Sequence, residues 1–504
     1  MIEKYYSGVI EQIYNRIGKE TRNIVMANYS NDFSIENLEV IRRYQSNEDN
    51  VFFAYSEFSY NTLVGAYEPF LDIICNMHRR FIGGSFDDFQ KECGVYYLHR
   101  QVLNSYYETG ECFREETVLL NEVAYEQRRM TMAIADMLKK LSEVKPLMIV
   151  INRFQMASKS SIETIKYLID NPCANIGIVL GVNAIVKGTD STVEVWDRIV
   201  ESLEDRSAIY YIGSAGPLKN NVKTTNDDEL YITMNFEQSI QEASNIMEFL
   251  DFEQARRGCR IIEHKLKFED AWIDEKSLRR FYMVYARTSV LLGEMSKAIE
   301  LTNEYKALIP ENDSEHYLSL YYFMKGTCYM YQGKLEKAGN SAKSAYDYAV
   351  LAEDDTLIFK AELLSVMIKM SGWYNIFFCV QDIPVSDEII EKLIKHGYRN
   401  HLAHIYIYAY DNSRDVVKQS FYDESLLKHF TKGLELAKEI GNEQLVYDAY
   451  QKTIMLASTS GLNEIAFLYV IRTYEFMKGH GNIYVARVLT SIGYNLSAIG
   501  KNEL

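Results

Sequence analysis

Proline is scarce, with six residues in a chain of 504. An interior proline costs a helix about 3 kcal/mol, so this scarcity favours long uninterrupted helices. Cysteine is also thinly spread. Cys75, Cys93, Cys112, Cys173, Cys259, Cys328 and Cys379 are odd in number and form no CxxC pair. That is the usage of a reducing compartment, where most cysteines serve as small core residues. No apolar run reaches the roughly 18 residues of a membrane span. The N-terminal segment MIEKYYSGVIEQIYNRIGKE is charged throughout its amphipathic pattern, unlike a signal peptide or an anchor. A cytoplasmic protein without membrane association is expected.

Clustered positive charge is missing as well. The net charge is −16, and no stretch gathers enough Lys and Arg to attract a phosphate backbone against it, which argues against nucleic-acid binding. The acidity reads most simply as a solvated surface. Two further absences fall in one window. There is no glycine between Gly18 and Gly65, and no lysine between Lys19 and Lys91.

What is present describes a folded protein, with 47% hydrophobic and 25% charged residues. The length is that of about three domains, or of one domain with an extended array. Residues 22–213 alternate short β-rich runs with helical stretches, the pattern of a parallel sheet covered by helices. Strands are expected at Asn23–Ala27, Val51–Tyr55, Leu147–Ile151, Ile176–Leu180 and Ala208–Ile212. Helices are expected at Ser34–Tyr44, about 63–80, Ser160–Ile169 and near 193–204, with a long helical insert over about 84–143.

This order, and above all the segment Pro146–Ile169 (PLMIVINRFQMASKSSIETIKYLI), resembles the nucleotide-binding core of the STAND class of AAA-like ATPases. That class includes large bacterial transcription activators with C-terminal helical repeats. The resemblance covers about 1–235 and implies a P-loop NTPase-like α/β fold. Carried over residue by residue, its chemistry is missing. The acidic pair that would serve Mg²⁺ and the attacking water falls on Asn152 and Arg153, and a later acid falls on Ser158. Asn183 takes the place of a sensor arginine. An amide cannot supply the negative charge a hard cation needs, and Arg153 would repel it.

The first strand points the same way. A P-loop needs glycines to wrap phosphates, a lysine for their charge and a Ser or Thr for the metal. Here the turn from Asn28 to Ser34 (NYSNDFS) has none of the glycines or the lysine, and carries Asp32 instead. The stretches Gly181–Gly188 and Gly213–Lys219 follow the wrong strands and read as turns. A degenerate domain without catalytic residues, nucleotide or other cofactor is expected.

From about 236 to 504 the pattern is helical, with apolar residues at 3.6 spacing and breaks at Gly or Asn. Gly293, Ala298 and Pro310 fall at offsets of the tetratricopeptide (TPR) consensus. Tyr322, Gly326, Tyr329, Gly333, Ala338 and Ala345 do so again, 40 residues later from Ala298 to Ala338. The second half thus resembles a TPR-like superhelix with a concave face. Further helices are expected at Leu357–Ser371, 424–440, 442–458, 463–478 and 482–499, with Tyr374–Lys395 irregular. The last of these sits at the place of a repeat's first helix, which reads either as a cap or as a chain that continues past residue 504.

Carried-over TPR geometry places Arg280, Met283, Arg287, Phe323, Thr327, Met330 and Tyr331 on the inward face, a mixture suited to an extended or helical peptide of some acidic character. Other constellations read as structural. His401 and His404 share a helix face but lack further metal ligands. Cys75 with His78, and Cys93 with His99, lack a nucleophile turn, and Glu353-Asp354-Asp355 reads as a solvated turn. The expectation is therefore a non-enzymatic signalling or scaffold protein that binds a protein or peptide partner through its repeats, with oligomerisation left open. The alternatives are a STAND-type switch that still binds nucleotide, or the regulatory half of a longer transcription factor or cyclic-dinucleotide enzyme.

Overall fold

The structure is a computed structural model. It describes the chain except for residues 1, 30–38, 47–49, 59–62, 117, 119–121, 184–185, 188–192, 207, 213–222, 225–234, 269–272, 313, 375–386, 410–423, 460, 478–492, 494–496 and 498–504. Two compact units emerge. One comprises Met1–Arg114 and Val118–Leu301, the other Glu115–Thr117 and Thr302–Leu504.

The first unit is built on a five-stranded sheet of β1 (Ile24–Tyr29), β2 (Phe52–Glu57), β3 (Leu147–Asn152), β4 (Ile176–Asn183) and, after the short β5 (Val186–Lys187), β6 (Ile209–Ile212). The order is β2-β3-β4-β1-β6, and every pairing is parallel. Parallel strands are buried on both faces and so read as continuous apolar runs. β3 (LMIVIN) and β4 (IGIVLGVN) are buried at every position. One face is covered by α1 (Ile2–Arg16) and α2 (Glu39–Ser46). There Tyr6, Ile10, Ile13 and Ile41 pack on Val25, Ala27, Phe53, Met148, Val150 and Val179. The face carrying Met26, Ile149, Ile178 and Leu180 is equally buried.

The strands lie where the alternation predicts them, and β1 to β4 run one to three residues further at their carboxyl ends. The helices between β2 and β3 differ more. The helix expected from 63 begins only at α3 (Phe70–Met77), because Pro69 lacks the N–H that a helix interior uses and suits its first positions. The 84–143 insert is three helices, α4 (Phe86–Glu92), α5 (Tyr97–Thr109) and α6 (Val123–Val144). Gly94 and Gly110 break it, at φ +69 and +76. Beyond β3 come α7 (Lys159–Asp170) and α8 (Val193–Asp205), and a two-residue β7 (Lys223–Thr224) that pairs with β5. The region expected as turns at Gly181–Gly188 is corrected in part: Gly181 lies inside β4, and Val186–Lys187 form β5. Asn28, expected to open the first-strand turn, lies inside β1; Gly213–Lys219 and the rest of that turn from residue 30, with Ser34, lie outside the described residues.

Every later element is helical. The first unit continues through α9 (Phe236–Glu248), α10 (Phe252–Phe268), α11 (Glu275–Leu291) and into α12 (Met295–Ala307). Secondary structure thus changes character near residue 236, while the compact units divide at Leu301 and Thr302. The second unit carries α13 (Ser314–Tyr331), α14 (Leu335–Leu351), α15 (Asp355–Tyr374), α16 (Asp387–Lys395), α17 (Arg399–His404), α18 (Glu424–Ile440), α19 (Glu443–Thr459) and α20 (Asn463–Met477). Most of the expected helix at 482–499 lies outside the described residues.

One turn closes hairpin after hairpin. After α11, Gly293 N–H bonds Val290 O at 2.9 Å and Glu294 N–H bonds Ser289 O at 2.8 Å. After α13, Gly333 N–H bonds Met330 O and Lys334 N–H bonds Tyr329 O, both at 2.9 Å. This is a Schellman-type cap, in which a left-handed residue lets two amides satisfy the last helical carbonyls. It recurs at Gly397 and Gly441, and also at Leu250 and Glu353, which lack the glycine. Asp354 then caps α15, its Oδ1 accepting Thr356 and Leu357 N–H at 3.0 Å. The acidic triplet is therefore a built junction as well as a turn.

Between α13 and α14 the small residues do what the consensus requires. A Cβ on Gly326 would lie 3.0 Å from Leu364 Cδ2 and 3.4 Å from Ser341 Cβ. Ala338, Ala342, Ala345 and Ala349 are fully buried along the facing helix. Small side chains let the helix axes approach at the close end of the packing range.

The exposed Glu353 holds φ +51, a region that costs a non-glycine residue about 1 kcal/mol or more. Glu353→Gly is expected to stabilise the chain by roughly 0.5–1 kcal/mol, the relief being partly offset by glycine's freedom in the unfolded state. Urea unfolding checks this, and a loss of stability would show that the turn is not strained.

Candidate functional site

In an open parallel sheet, ligands bind outside the carboxyl ends of the strands, where the strand order changes direction. Here that place is the end of β1, between β4 and β6. Register sets Tyr29 beside Asn183 and Glu57 beside Asn152, so Asn28, Asn152, Arg153 and Asn183 all come to this edge. Asn28 is buried, with neither amide atom hydrogen-bonded. Asn152 is fully buried, and its Oδ1 accepts the Tyr29 hydroxyl at 2.8 Å.

The crowding is tight. A Cβ on Gly181 would lie 2.1 Å from Tyr6 Oη and 2.7 Å from Asn152 Oδ1. Glycine is thus required in the middle of β4 so that these side chains can meet above it. Arg153, at φ +54, sets a guanidinium nitrogen 3.3 Å from Glu57 Oε1 and another 3.4 Å from Phe58 O. Glu57 also accepts the Tyr55 hydroxyl. Asn183 N–H bonds Gln155 Oε1 at 3.3 Å. Ser158, at the place of the later family acid, is the N-cap of α7. Among the described residues, the edge brings together amides, tyrosines and one carboxylate, Glu57, which is paired with Arg153.

A second feature of this unit was not visible in the sequence. The turn before α3, with α5 and α9, encloses a half-open cavity of about 300 Å³, lined by Leu63, Leu71, Tyr106 and Phe249 and by three carboxylates, Glu68, Asp72 and Glu242. Asp72 Oδ1 accepts the Tyr106 hydroxyl at 2.9 Å, and Glu68 Oε2 accepts Gly65 N–H at 2.9 Å. Burial, then the charges of Glu68 and Asp72, push the Glu242 carboxyl up to about 7. Burial also raises Glu68. Glu242 is 170 residues from Asp72 in sequence, and Glu68 and Asp72 lie in the turn before α3 and on α3, so no local motif announces the three together.

The residues proposed to face a peptide divide between the units. On α11, Arg280 is exposed and donates to Gln241, while Arg287 pairs with Glu248 at 2.8 Å. Met283 is half-buried. On α13, Phe323, Thr327 and Tyr331 are half-buried. Met330 is 7% exposed and belongs to a core with Ala338, Ala342, Leu364 and Ile368. It therefore turns inward, because its position falls on the stripe of α13 that packs on α14 and α15, and it is no surface residue.

The histidine and cysteine constellations resolve into packing. Burial pushes the Cys75 and Cys93 thiols up to about 12, which disfavours the thiolate form. His78 Nδ1 lies 3.1 Å from Tyr107 Oη, and His99 Nε2 lies 2.9 Å from Glu126 Oε2. Burial holds His99 at about 4. In the second unit, Glu116 takes the amides of Asn400 and His401 at 3.1 and 2.5 Å and lies 2.6 Å from His401 Nδ1. His404 stacks on Tyr408. Among the described residues no helix is long and apolar enough to cross a membrane.

No protein-family profile and no curated protein matches the sequence. In solved structures, the chain is similar to a Signal Transduction ATPase with Numerous Domains (STAND) protein with a tetratricopeptide repeat sensor from Pyrococcus horikoshii. Identity is 12%, the match covers 95% of this chain and 84% of that one, and the TM-score is 0.40. The apo form of RapI matches at 13% identity over 67% of this chain and 70% of its own, with a TM-score of 0.25. At such distances residue roles rest on the geometry above.

Folded Glu242 titrates near 7, against about 4.3 for an unfolded glutamate. Between those values the folded state holds a proton that the unfolded state has released, so stability falls as pH rises through that window. Glu242→Gln is expected to flatten the slope between pH 5 and 7 and to stabilise the chain at pH 8. Thermal melts across that range check this, and an unchanged slope would show that Glu242 is not held protonated.

Proposed function

We propose that this chain is a non-enzymatic signalling or scaffold protein, a pseudo-ATPase domain joined to TPR-like repeats that bind a protein or peptide partner. One observation carries the first half. The positions that would serve Mg²⁺ and the attacking water are Asn152 and Arg153, and both are engaged, Asn152 by Tyr29 and Arg153 by Glu57. Phosphoryl transfer is almost wholly positioning and charge stabilisation, and here a cation would meet an amide and a guanidinium. The first-strand turn, without glycine or lysine, lacks the groups that hold β- and γ-phosphates. Helical hairpins joined by repeated caps support the second half, since such arrays present extended surfaces to partners. The STAND protein named above carries a TPR sensor, and a sensing role for these repeats is part of the same proposal.

Calorimetric titration of the full chain with MgATP and with MgADP is expected to show no saturable heat up to millimolar nucleotide. Micromolar affinity for either would replace this reading with a nucleotide-dependent switch. A partner captured by the full chain is expected to bind at least about tenfold more weakly, near 1.4 kcal/mol, to Arg280→Glu or Tyr331→Ala. Partners indifferent to both would remove these helices as the binding face.

A further inference from the structure

We propose that the cavity formed by α3, α5 and α9 is a binding site for a small organic cation with two ammonium groups on an aliphatic stem. Its volume of about 300 Å³ is at the lower end for small-molecule sites, which combine apolar walls with a few convergent polar groups. Leu63, Leu71 and Phe249 supply walls for a methylene stem. Glu68, Asp72 and Glu242 supply negative charge, and no lysine, arginine or histidine is among the described lining residues. A concave surface of one sign with low-dielectric walls concentrates the opposite charge.

The geometry discriminates between cations. Among the described residues no group of three His, Cys, Asp or Glu side chains is arranged to hold a metal ion. Glu242 and Glu68 meet beside Gly65, within 3.0 and 3.4 Å of where its Cβ would stand, while Asp72 is tied to Tyr106, which offers two anionic places to separated charges on one molecule. The rings add to this. Tyr106 and Phe249 meet edge to face, their centroids 5.4 Å apart at 73°, and ring faces at such a site attract ammonium groups. Two of the acids are held in place, Asp72 by the Tyr106 hydroxyl and Glu68 by the Gly65 amide. Gly65 also keeps the space open, since a Cβ there would lie 3.0 Å from Glu242 Oε1.

The groups around Glu242 are almost all acidic. Glu68 comes from the turn before α3, Asp72 from α3 and Tyr106 from α5, and the buried Cys112 feels its charge from the segment after α5. Asn245, one turn along α9, favours the ionised form. The guanidinium of Arg280 on α11 is directed to the adjacent Gln241. With its carboxyl near 7, Glu242 gives up its proton when an ammonium arrives, so binding tightens with rising pH. The site is independent of the sheet edge and of the pseudo-ATPase reading.

Calorimetric titration of the full chain with 1,4-diaminobutane, beside 1-aminobutane and MgCl₂ at matched ionic strength, tests the proposal. One saturable site is expected for the diamine, at least about tenfold tighter than for the monoamine and tighter at pH 8 than at pH 6. At pH 7 the measured heat should depend on the buffer's ionisation enthalpy, which reports the released proton. Glu242→Gln and Asp72→Asn, each checked for an intact fold by circular dichroism, should both weaken binding by tenfold or more. Absence of saturable diamine binding, equal affinity for Mg²⁺, or indifference to both variants would overturn the proposal.

Discussion

Tyr29 and Asn152 meet at the carboxyl end of the sheet through a buried 2.8 Å hydrogen bond, and much of the first unit is arranged so that they can. β4 passes between the strands that carry them, so the contact has to cross it. Gly181 leaves the room, and the Tyr6 hydroxyl from α1 closes over the same point. A buried polar group is costly unless it is paired. An asparagine at the end of β3 therefore needs its tyrosine, and the tyrosine needs a glycine on the strand between. Charge is handled in the same way next door, where Arg153 and Glu57 neutralise one another. At this edge of the sheet the described side chains Tyr29, Asn152, Arg153 and Glu57 bind one another.

The helical part obeys a different constraint, that of repeated close approach. Gly326 and the alanine column of α14 set the spacing within a hairpin, and left-handed caps set the turn at its end. The caps at Gly293 and Gly333 have the same pair of hydrogen bonds within 0.1 Å. Where Leu250 and Glu353 stand in for glycine, the backbone keeps the turn against the side chain's preference. Packing of the two helices thus outweighs about 1 kcal/mol of local strain.

Much of this was legible from the residues. Parallel strands announce themselves as apolar runs, and the two clearest repeats as small residues at fixed offsets. The expectation that nucleotide chemistry is missing rests on residue types in one window, with no glycine between Gly18 and Gly65 and no lysine between Lys19 and Lys91. The acid-lined cavity was hidden, because Glu242 joins Glu68 and Asp72 only in three dimensions and each alone resembles a solvated acid. Met330 was misplaced by consensus geometry, since a neighbouring position on a helix is turned by about 100° and the inward stripe is narrow. Gly181 was misread as a turn glycine for a related reason. Its role is set by Tyr6, which is distant in sequence.

The shared cap has a consequence for how such a chain changes over time. Hairpins closed by this cap end with the same backbone path whatever precedes it, and in such arrays each unit makes its contacts mainly with its neighbours. A whole hairpin can then be gained or lost by duplication or deletion without redrawing the joints on either side. Length becomes a variable that can drift while the local joinery is conserved. The sheet allows no such freedom, because the Tyr29, Gly181 and Asn152 contact spans three strands and admits no change of register in any of them.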